Sequence, residues 1–301
     1  MLTKLVSFLK RLYVAFTIYF LPERLFIRYK YLKSIGQKLN LSSPLRLTEK
    51  IQWLKLHNKK KLHVDVTDKI KVRDYVKEII GETHLVPLID IYEKSEDIKQ
   101  EDLQRFSIIK CNHDSSGGTI IRNHIPQIEK IKKDYKARLK HNHYYQTKEW
   151  QYKHIKPKIL IEKLLITSSG CIPNDYKFHC FHGVPKFIYC SIDRENLNYR
   201  KIYDINWNEL KVNWKPRKQE KREGPNIPKP KTIEKMLSIS RQLSKDFEYC
   251  RVDLYEVDQK VFFGEITLHP HGGFESIDPI EYDYEWGSFL DLSQIKNEKK
   301  V

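Results

Sequence analysis

A chain of 301 residues can bury a sizeable core, in one large lobe or in two to three smaller ones. Hydrophobic residues at 40% and aromatic residues at 12% exclude a disordered chain, and five cysteines without a CxxC pair fit buried thiols in a reducing cytoplasm better than a disulfide framework. The formal charge of +16, from 55 Lys and Arg against 39 Asp and Glu, favours a polyanionic partner such as phosphates, nucleic acid, an acidic polymer or an anionic membrane, although lysines spread along the whole chain also fit a solvated basic surface.

Residues 1–35 are apolar, aromatic and basic. The longest uncharged run, Leu12 to Pro22, is too short for a bilayer span, which needs about 20 apolar residues. No small-residue cleavage site follows it, which argues against a secretory signal. Two readings stay open for this segment: helices packed on the body, or a basic amphipathic anchor lying on a membrane surface.

LSSPLRLTEKIQWLKL (41–56) predicts an extended lead-in and then a helix with Ile51, Trp53 and Leu54 inward. Asp68 is placed to cap a following helix, whose Ile70, Tyr75, Val76, Ile79 and Ile80 form an apolar stripe and which Gly81 ends. LVPLIDIYE (85–93) reads as a short buried strand. FSIIKCNHDSSGGTIIRN (106–123) predicts a strand that delivers Lys110, a turn through Ser115, Ser116, Gly117 and Gly118, and a second strand. Glycines let backbone N–H groups approach a phosphate closely, and an adjacent lysine adds charge. The GxxxxGK[ST] order of a P-loop is absent, and such loops are mostly hairpin connections.

KILIEKLL (158–165) reads as a buried strand ending in Glu162 and Lys163. DYKFHCFHGVPKFIYCSIDR (175–194) reads as two strands around 182–185, with Asp175 and Lys177 on one face. His141, His143, His179, His182, His269 and His271 join no cysteine at zinc-ligand spacing and are expected to be exposed or hydrogen-bonded. Residues 211–231 hold eight Lys or Arg against two Glu and read as a mobile basic loop or lid, or as a plain solvated loop. IEKMLSISRQLSKDF (233–247) has helical spacing of its apolar residues.

FEYCRVDLYEVDQKVFFGEITL (247–268) predicts a β-hairpin with a three-residue turn at 258–260. Val252, Leu254, Phe262 and Ile266 would share its core face, and Arg251, Asp253, Glu265 and Thr267 the other. Pairing symmetric about Gln259 sets Asp253 opposite Glu265, with Cβ atoms roughly 5 Å apart. Two carboxylates so close repel unless a cation neutralises them. With a hydroxyl beside them they suit a hard divalent ion such as Mg²⁺. A solvated surface hairpin in which Arg251 pairs with Asp253 is the plainer alternative.

In this order, Asp68-Lys69, Val72-Arg73-Asp74-Tyr75, IIKCNH with its Ser/Gly loop, TKEWQYKHIKPKILIEK, DYKFHCFHG, Asp193-Arg194 and RVDLY…FGEIT resemble the TupA-like (teichuronopeptide-biosynthesis-like) branch of the ATP-grasp superfamily, from about Leu41 to Leu292. The resemblance implies an α+β ATP-grasp fold with ATP held between two α+β lobes. Its expected division is an N-terminal amphipathic helical segment (1–40), an N-terminal α/β lobe (41–105), a central ATP-grasp lobe (106–165) and a C-terminal ATP-grasp lobe with the metal site (166–301). It implies that Lys69 and Lys110 contact phosphates and that Ser115, Ser116, Gly117 and Gly118 cover them. Glu162 and Lys163 would line the adenine pocket, with Asp175 also at the nucleotide. Lys177 would be a second phosphate lysine, and Arg251, with Lys177 and Arg194, would serve catalysis. Asp253, Glu265 and Thr267 would hold Mg²⁺, Thr267 standing where many relatives carry Asn. Asp114-Ser115 likewise replaces a commoner Gly-Ser.

The implied reaction activates a carboxylate with ATP as an acylphosphate, which an amine converts to an amide. The branch further implies that an amino acid or small amine is joined to a uronic acid of a bacterial surface polysaccharide. Partners would be an acidic glycan or sugar carboxylate and an amine, with peripheral membrane contact through residues 1–35 and no role for nucleic acid. The enzyme would then work in the cytoplasm, at the inner face of the membrane if that contact is made. Two rival readings are a glycosyltransferase of capsule or lipopolysaccharide synthesis, for which a DxD motif is missing, and a basic membrane-associated binding protein.

Overall fold

Two antiparallel sheets turn polar faces towards one cavity, while helices cover their apolar faces. The computed structural model describes residues 19–115, 117–192, 195, 199–215 and 224–295. Four helices come first: α1 (Glu23–Ile35), α2 (Leu47–His57), α3 (Lys61–Thr67) and α4 (Val72–Ile80). Phe26, Ile27, Tyr31 and Ile35 of α1 pack with Leu39, Leu41 and Phe274, so this part of the N-terminal segment lies on the body. Leu25, Tyr29 and Leu32 of the same helix remain exposed. Among the described residues no helix is long and apolar enough to cross a membrane.

Asp68 does not cap α4 as expected. It ends α3, and residues 69–71 form a turn before α4 begins at Val72. Its Oδ1 accepts the Ile70 N–H at 2.9 Å and the Asn112 Nδ2–H at 2.9 Å, which ties the helical region to the first sheet. Gly81 ends α4 at φ 91°, as the sequence predicts.

The first sheet contains β1 (Leu88–Tyr92), β2 (Ser107–Cys111), β3 (Thr119–Ile121) and β4 (Ile159–Lys163) in the order β1-β4-β2-β3. Ile109, Cys111, Ile159 and Ile161 face a core closed by Ile131 and Tyr135 of α5 (Ile128–Leu139). Period-two alternation sends Ile108, Lys110 and Glu162 to the cavity. β1 is an edge strand with its first four residues at least partly exposed, not the buried strand expected from its apolar run. A four-residue helix, α6 (Tyr144–Thr147), leads back to β4.

The second sheet runs β11-β10-β5-β6-β7-β8. Its strands are β5 (Asp175–Phe181), β6 (Val184–Ile192), β7 (Tyr199–Asp204), β8 (Glu209–Leu210), β10 (Tyr249–Val257) and β11 (Lys260–Thr267). The β5–β6 turn is only His182-Gly183, both at positive φ, so Val184 and Pro185 already belong to β6. β9 (Asn213–Lys215) pairs instead with β12 (Ser276–Asp278). Phe178, Cys180, Ile188, Val252 and Leu254 face α4 and α7 (Ile233–Ser244), whose Ile233, Met236, Leu237 and Leu243 are buried. Of the lid expected at 211–231, residues 216–223 lie outside the described residues, and the described part includes β9.

The β10–β11 hairpin carries the one register detail that matters most. Its turn is the two-residue Asp258-Gln259, at φ 49° and 65°, because Lys260 already pairs with Val257. A two-residue turn with both central φ positive follows the twist of the strands. It would set Asp253 opposite Gly264. A β-bulge between Asp253 and Leu254 absorbs one residue and restores the pairs Asp253–Glu265 and Arg251–Thr267. The bulge also puts Phe263, not the expected Phe262, into the core at 4% exposure. Gly264 fits there because a Cβ would sit 3.0 Å from the Asp253 carbonyl oxygen.

Finally, α8 (Ile280–Ser288) packs on α2. Thr48, fully buried, donates its hydroxyl to Asp283 Oδ2 at 2.7 Å, and accepts the Tyr31 hydroxyl proton at 2.8 Å. Thr48→Val keeps the shape but leaves two buried groups unsatisfied, each costing about 1–3 kcal/mol. The variant is expected to lose about 2 kcal/mol or more in urea denaturation, with an unchanged m-value.

Candidate active site

One cavity of about 470 Å³ lies between the sheets, within the size range of small-molecule sites. Val86, Ile108, Leu165, Ile172 and Phe263 make one part of its wall apolar, whereas Lys69, Lys110, Asp175, Lys177, Asp253 and Glu265 charge another part.

The charged floor belongs to the second sheet. Antiparallel pairing sets Glu265, Asp253 and Lys177 side by side on three adjacent strands. Arg251 grips Asp253 with both prongs of its guanidinium, Nε to Oδ1 at 2.7 Å and Nη2 to Oδ2 at 2.8 Å. The same Nη2 donates to Glu265 Oε1 at 2.8 Å and to Thr267 Oγ1 at 3.0 Å, and the Thr267 hydroxyl donates to Glu265 Oε1 at 2.7 Å. Lys177 Nζ donates to Asp253 Oδ2 at 2.6 Å and also to Asp175.

Burial pushes the Asp253 carboxyl up to about 6 against the pull of Arg251 and Lys177, so those two cations keep it ionised at neutral pH. Burial also opposes ionisation of Glu265, but Arg251, Lys177 and Lys69 outweigh it and hold the group at about 2. For Lys177 burial pulls the pKa down, and Asp175 and Asp253 more than offset this.

The roof belongs to the first sheet. Lys110 Nζ donates to Glu162 Oε2 at 2.9 Å, and Arg73 of α4 holds the other oxygen at 2.9 Å. Lys69 donates to the Asp114 carbonyl, and burial lowers its pKa. Arg138 of α5 fastens the Ser/Gly loop, its Nη2 donating to Asp114 Oδ2 at 2.8 Å and to the Gly117 carbonyl at 2.7 Å. Gly118 is required where the chain leaves the loop, since a Cβ would lie 2.5 Å from the Ile109 carbonyl oxygen.

Of the residues singled out in the sequence, Lys69, Lys110, Ser115, Gly117, Gly118, Glu162, Lys163, Asp175, Lys177, Asp253 and Glu265 all line this cavity. Arg251 and Thr267 bond to its carboxylates from the adjoining row. Ser116 and Arg194 lie outside the described residues. No sequence signal marks Arg73 as partner of Glu162, 89 positions away. Equally without a signal was a chain of polar contacts that runs from the exposed Ser115 of the Ser/Gly loop through half-buried His143 to the buried Glu149 and His269 after β11. Ser115 Oγ lies 3.2 Å from His143 Nε2, which is 3.5 Å from Glu149 Oε2; Glu149 Oε1 is 3.5 Å from His269 Nδ1. Burial opposes the Glu149 charge, but the two histidines outweigh it and lower its pKa.

The donor set suits Mg²⁺ in part. Asp175 Oδ1 is buried with no hydrogen-bond partner, and among the described residues none reaches Glu265 Oε2 either. Carboxylate oxygens are the hard donors Mg²⁺ takes, with waters and phosphate oxygens completing its shell. Among the described residues no three His, Cys, Asp or Glu side chains are grouped to hold a metal by themselves. Glu265, with the Thr267 hydroxyl beside it, therefore fits an ion that arrives with phosphates, whereas both Asp253 oxygens are held by Arg251 and Lys177, so Asp253 would join such an ion only as one of those cations turns to the phosphates.

A model of the TupA-like ATPgrasp family matches residues 49–291. No curated protein matches the chain. Among solved structures, the chain is similar to the D-alanine–D-alanine ligase of Bacillus anthracis complexed with ATP, at 15% identity over 68% of this chain and 54% of that one, with a TM-score of 0.38. It is also similar to the D-alanine–D-alanine ligase of Helicobacter pylori (16% identity, 81% and 68% covered, TM-score 0.41). A third is the L-amino acid ligase of Bacillus licheniformis (11% identity, 75% and 49% covered, TM-score 0.41). The chain thus spans about half the length of the first of these.

Lys110 is held by Glu162 at the roof of the cavity, and its removal leaves no other described lysine in that position on the sheet. A hydrogen bond to a charged group contributes about 1.5–3 kcal/mol. Lys110→Ala should therefore weaken ATP binding about tenfold to a hundredfold in a calorimetric titration while its melting curve stays close to wild type.

Proposed function

This chain belongs to the TupA-like ATPgrasp family, and on that premise we propose that it is an ATP- and Mg²⁺-dependent ligase that joins a carboxylate to an amine. One observation carries the reading: the Lys and Gly-rich roof faces the Arg251–Asp253–Glu265 floor across a single cavity.

A substrate carboxylate oxygen would bond to the γ-phosphorus as ADP leaves. The amine nitrogen would then bond to the acyl carbon, and phosphate would leave with the electron pair of the broken C–O bond. Lys110 and Lys69 would hold phosphate oxygens from above, and Lys177 from below. Arg251 would turn its planar fork to the oxygens of the transferred group, a geometry a lysine does not reproduce. Asp253 and Glu265 would hold Mg²⁺, which when bound neutralises phosphate charge and aligns the β- and γ-phosphates. No protein nucleophile is needed, because positioning and charge neutralisation carry such transfers. The apolar wall excludes water that would hydrolyse an activated carboxylate.

We further propose that the carboxylate belongs to a uronic acid of a bacterial surface polysaccharide. The net charge of +16 supports an acidic substrate of this kind, and the exposed Leu25, Tyr29 and Leu32, on the same helix as the exposed Arg24, Arg28 and Lys33, support work at the inner membrane surface.

The test is turnover with ATP, Mg²⁺ and uronic-acid glycans against an amine panel, followed by ADP and phosphate release and by mass spectrometry of the product. ADP and phosphate in equal amounts with a new amide mass are expected. Sugar transfer without ATP use, or binding without turnover, would remove the ligase reading. Asp253→Asn keeps the shape of the floor and removes its central charge. It is expected to lower turnover at saturating ATP about a hundredfold or more, the scale for losing a group that stabilises transition-state charge. Near wild-type turnover with unchanged Mg²⁺ dependence would contradict the metal assignment.

A further inference from the structure

The polar face of the second sheet does not end at the cavity. Lys177 of β5 stands opposite Tyr189 of β6, and in the next row Asp175 stands opposite Ser191, itself opposite Arg200 of β7. Alternate residues share a face, so Tyr189 and Arg200 look the same way as Lys177 and Asp175. Tyr189, Arg200, His271 and Glu275 lie outside the cavity wall.

Arg200 is exposed, and its Nη1 donates to the Tyr189 hydroxyl at 3.0 Å. Among the described residues no carboxylate pairs with it. Across Tyr189 stands His271, with ring centroids 6.4 Å apart, and beyond it Glu275, whose Oε2 lies 3.2 Å from His271 Nδ1. That oxygen is buried and accepts no hydrogen bond, since the imidazole is not aimed to donate to it. Burial, with Arg251, Arg200 and Lys177 nearby, lowers His271 to about 3, so the ring is neutral and leaves Glu275 without a cation in contact. An arginine and a carboxylate thus flank one Tyr–His pair and do not meet. Opposite charges spaced so, neither in an ion pair with a charged partner among the described residues, match a ligand that carries both signs itself.

We propose that Arg200, Tyr189, His271 and Glu275 form a subsite for a free α-amino acid, with its carboxylate on Arg200 and its amino group at Glu275. The inference rests on the ligase reading above and says which amine it uses. Lys177, directly opposite Tyr189, lies between this subsite and the nucleotide cavity it lines, and Arg251, one row along the sheet on β10, would hold the activated acyl group within reach of the amino nitrogen. Glu275 takes the ammonium proton, and the freed nitrogen lone pair forms the C–N bond as phosphate departs. Burial raises the Glu275 carboxyl to about 7 against Arg200 and Arg251, a value suited to accepting a proton near neutral pH.

Saturation-transfer NMR on the full chain tests this, with Mg²⁺ and a non-hydrolysable ATP analogue present. The probe is an equimolar mixture of the twenty protein amino acids and D-alanine. At least one is expected to bind the wild type, its C-terminal amide to bind at least tenfold more weakly, and Arg200→Gln to lose the signal. Arg200→Lys should retain part of it, and thermal melts of both variants should match wild type because the side chain is exposed. No amino-acid signal with the wild type, or one that Arg200→Gln and the amide leave unchanged, overturns the subsite. Titration of the ATP analogue in the same samples judges the ligase reading separately: its failure to bind counts against that reading and not against the subsite.

Discussion

Everything in the floor of this site depends on holding two carboxylates and a third close by on a largely dry sheet face. Coulomb repulsion between such groups is strong where water cannot screen it. Arg251 resolves it by bonding Asp253 and Glu265 at once, with Lys177 taking the remaining side of Asp253 and reaching Asp175. Such a cluster contributes little to stability by itself, because desolvation consumes most of the Coulombic gain. Its value lies in a charge arrangement that is already in place before any substrate arrives. Side chains that must stay ionised, such as Asp253, do so only because their partners are fixed by strand pairing.

The two sheets supply that fixity by a shared division of labour. In each, one set of alternate residues is buried under helices and the other set meets the cavity. The apolar side anchors each strand, and the polar side is then free to carry function. The segment after β11 is anchored differently. Gln52 and Lys55 of α2 donate to the Gly272 and Gly273 carbonyls from a buried position, which clamps the turn carrying His269 and His271.

Much of the floor was legible because strand alternation and sequence-local pairing both lie within 22 residues. Even there the agreement is instructive. Counting three turn residues placed Asp253 opposite Glu265; the true turn has two, and the bulge at Gly264 supplies the missing one. Nothing in the sequence distinguishes those routes except the glycine. Lys110 was legible as a residue delivered by a strand to the Ser/Gly loop, and Glu162 as the polar end of an apolar strand. Arg73, Glu149, Arg200 and Glu275 were not, since their neighbours come from strand order and helix docking across long separations. Asp68 misled because a capping residue type also suits the end of one helix and the turn to the next.

The polar chain from Ser115 through His143 to the buried Glu149 and His269 has a consequence for how the molecule opens. It joins the loop over the cavity to the strand end beneath it, through a carboxylate that has left water and cannot cheaply lose either histidine. Loop and floor then break contact together or not at all. In the language of local unfolding they form one cooperative unit, so amide protection of residues 113–115 and 267–269 should rise and fall as one.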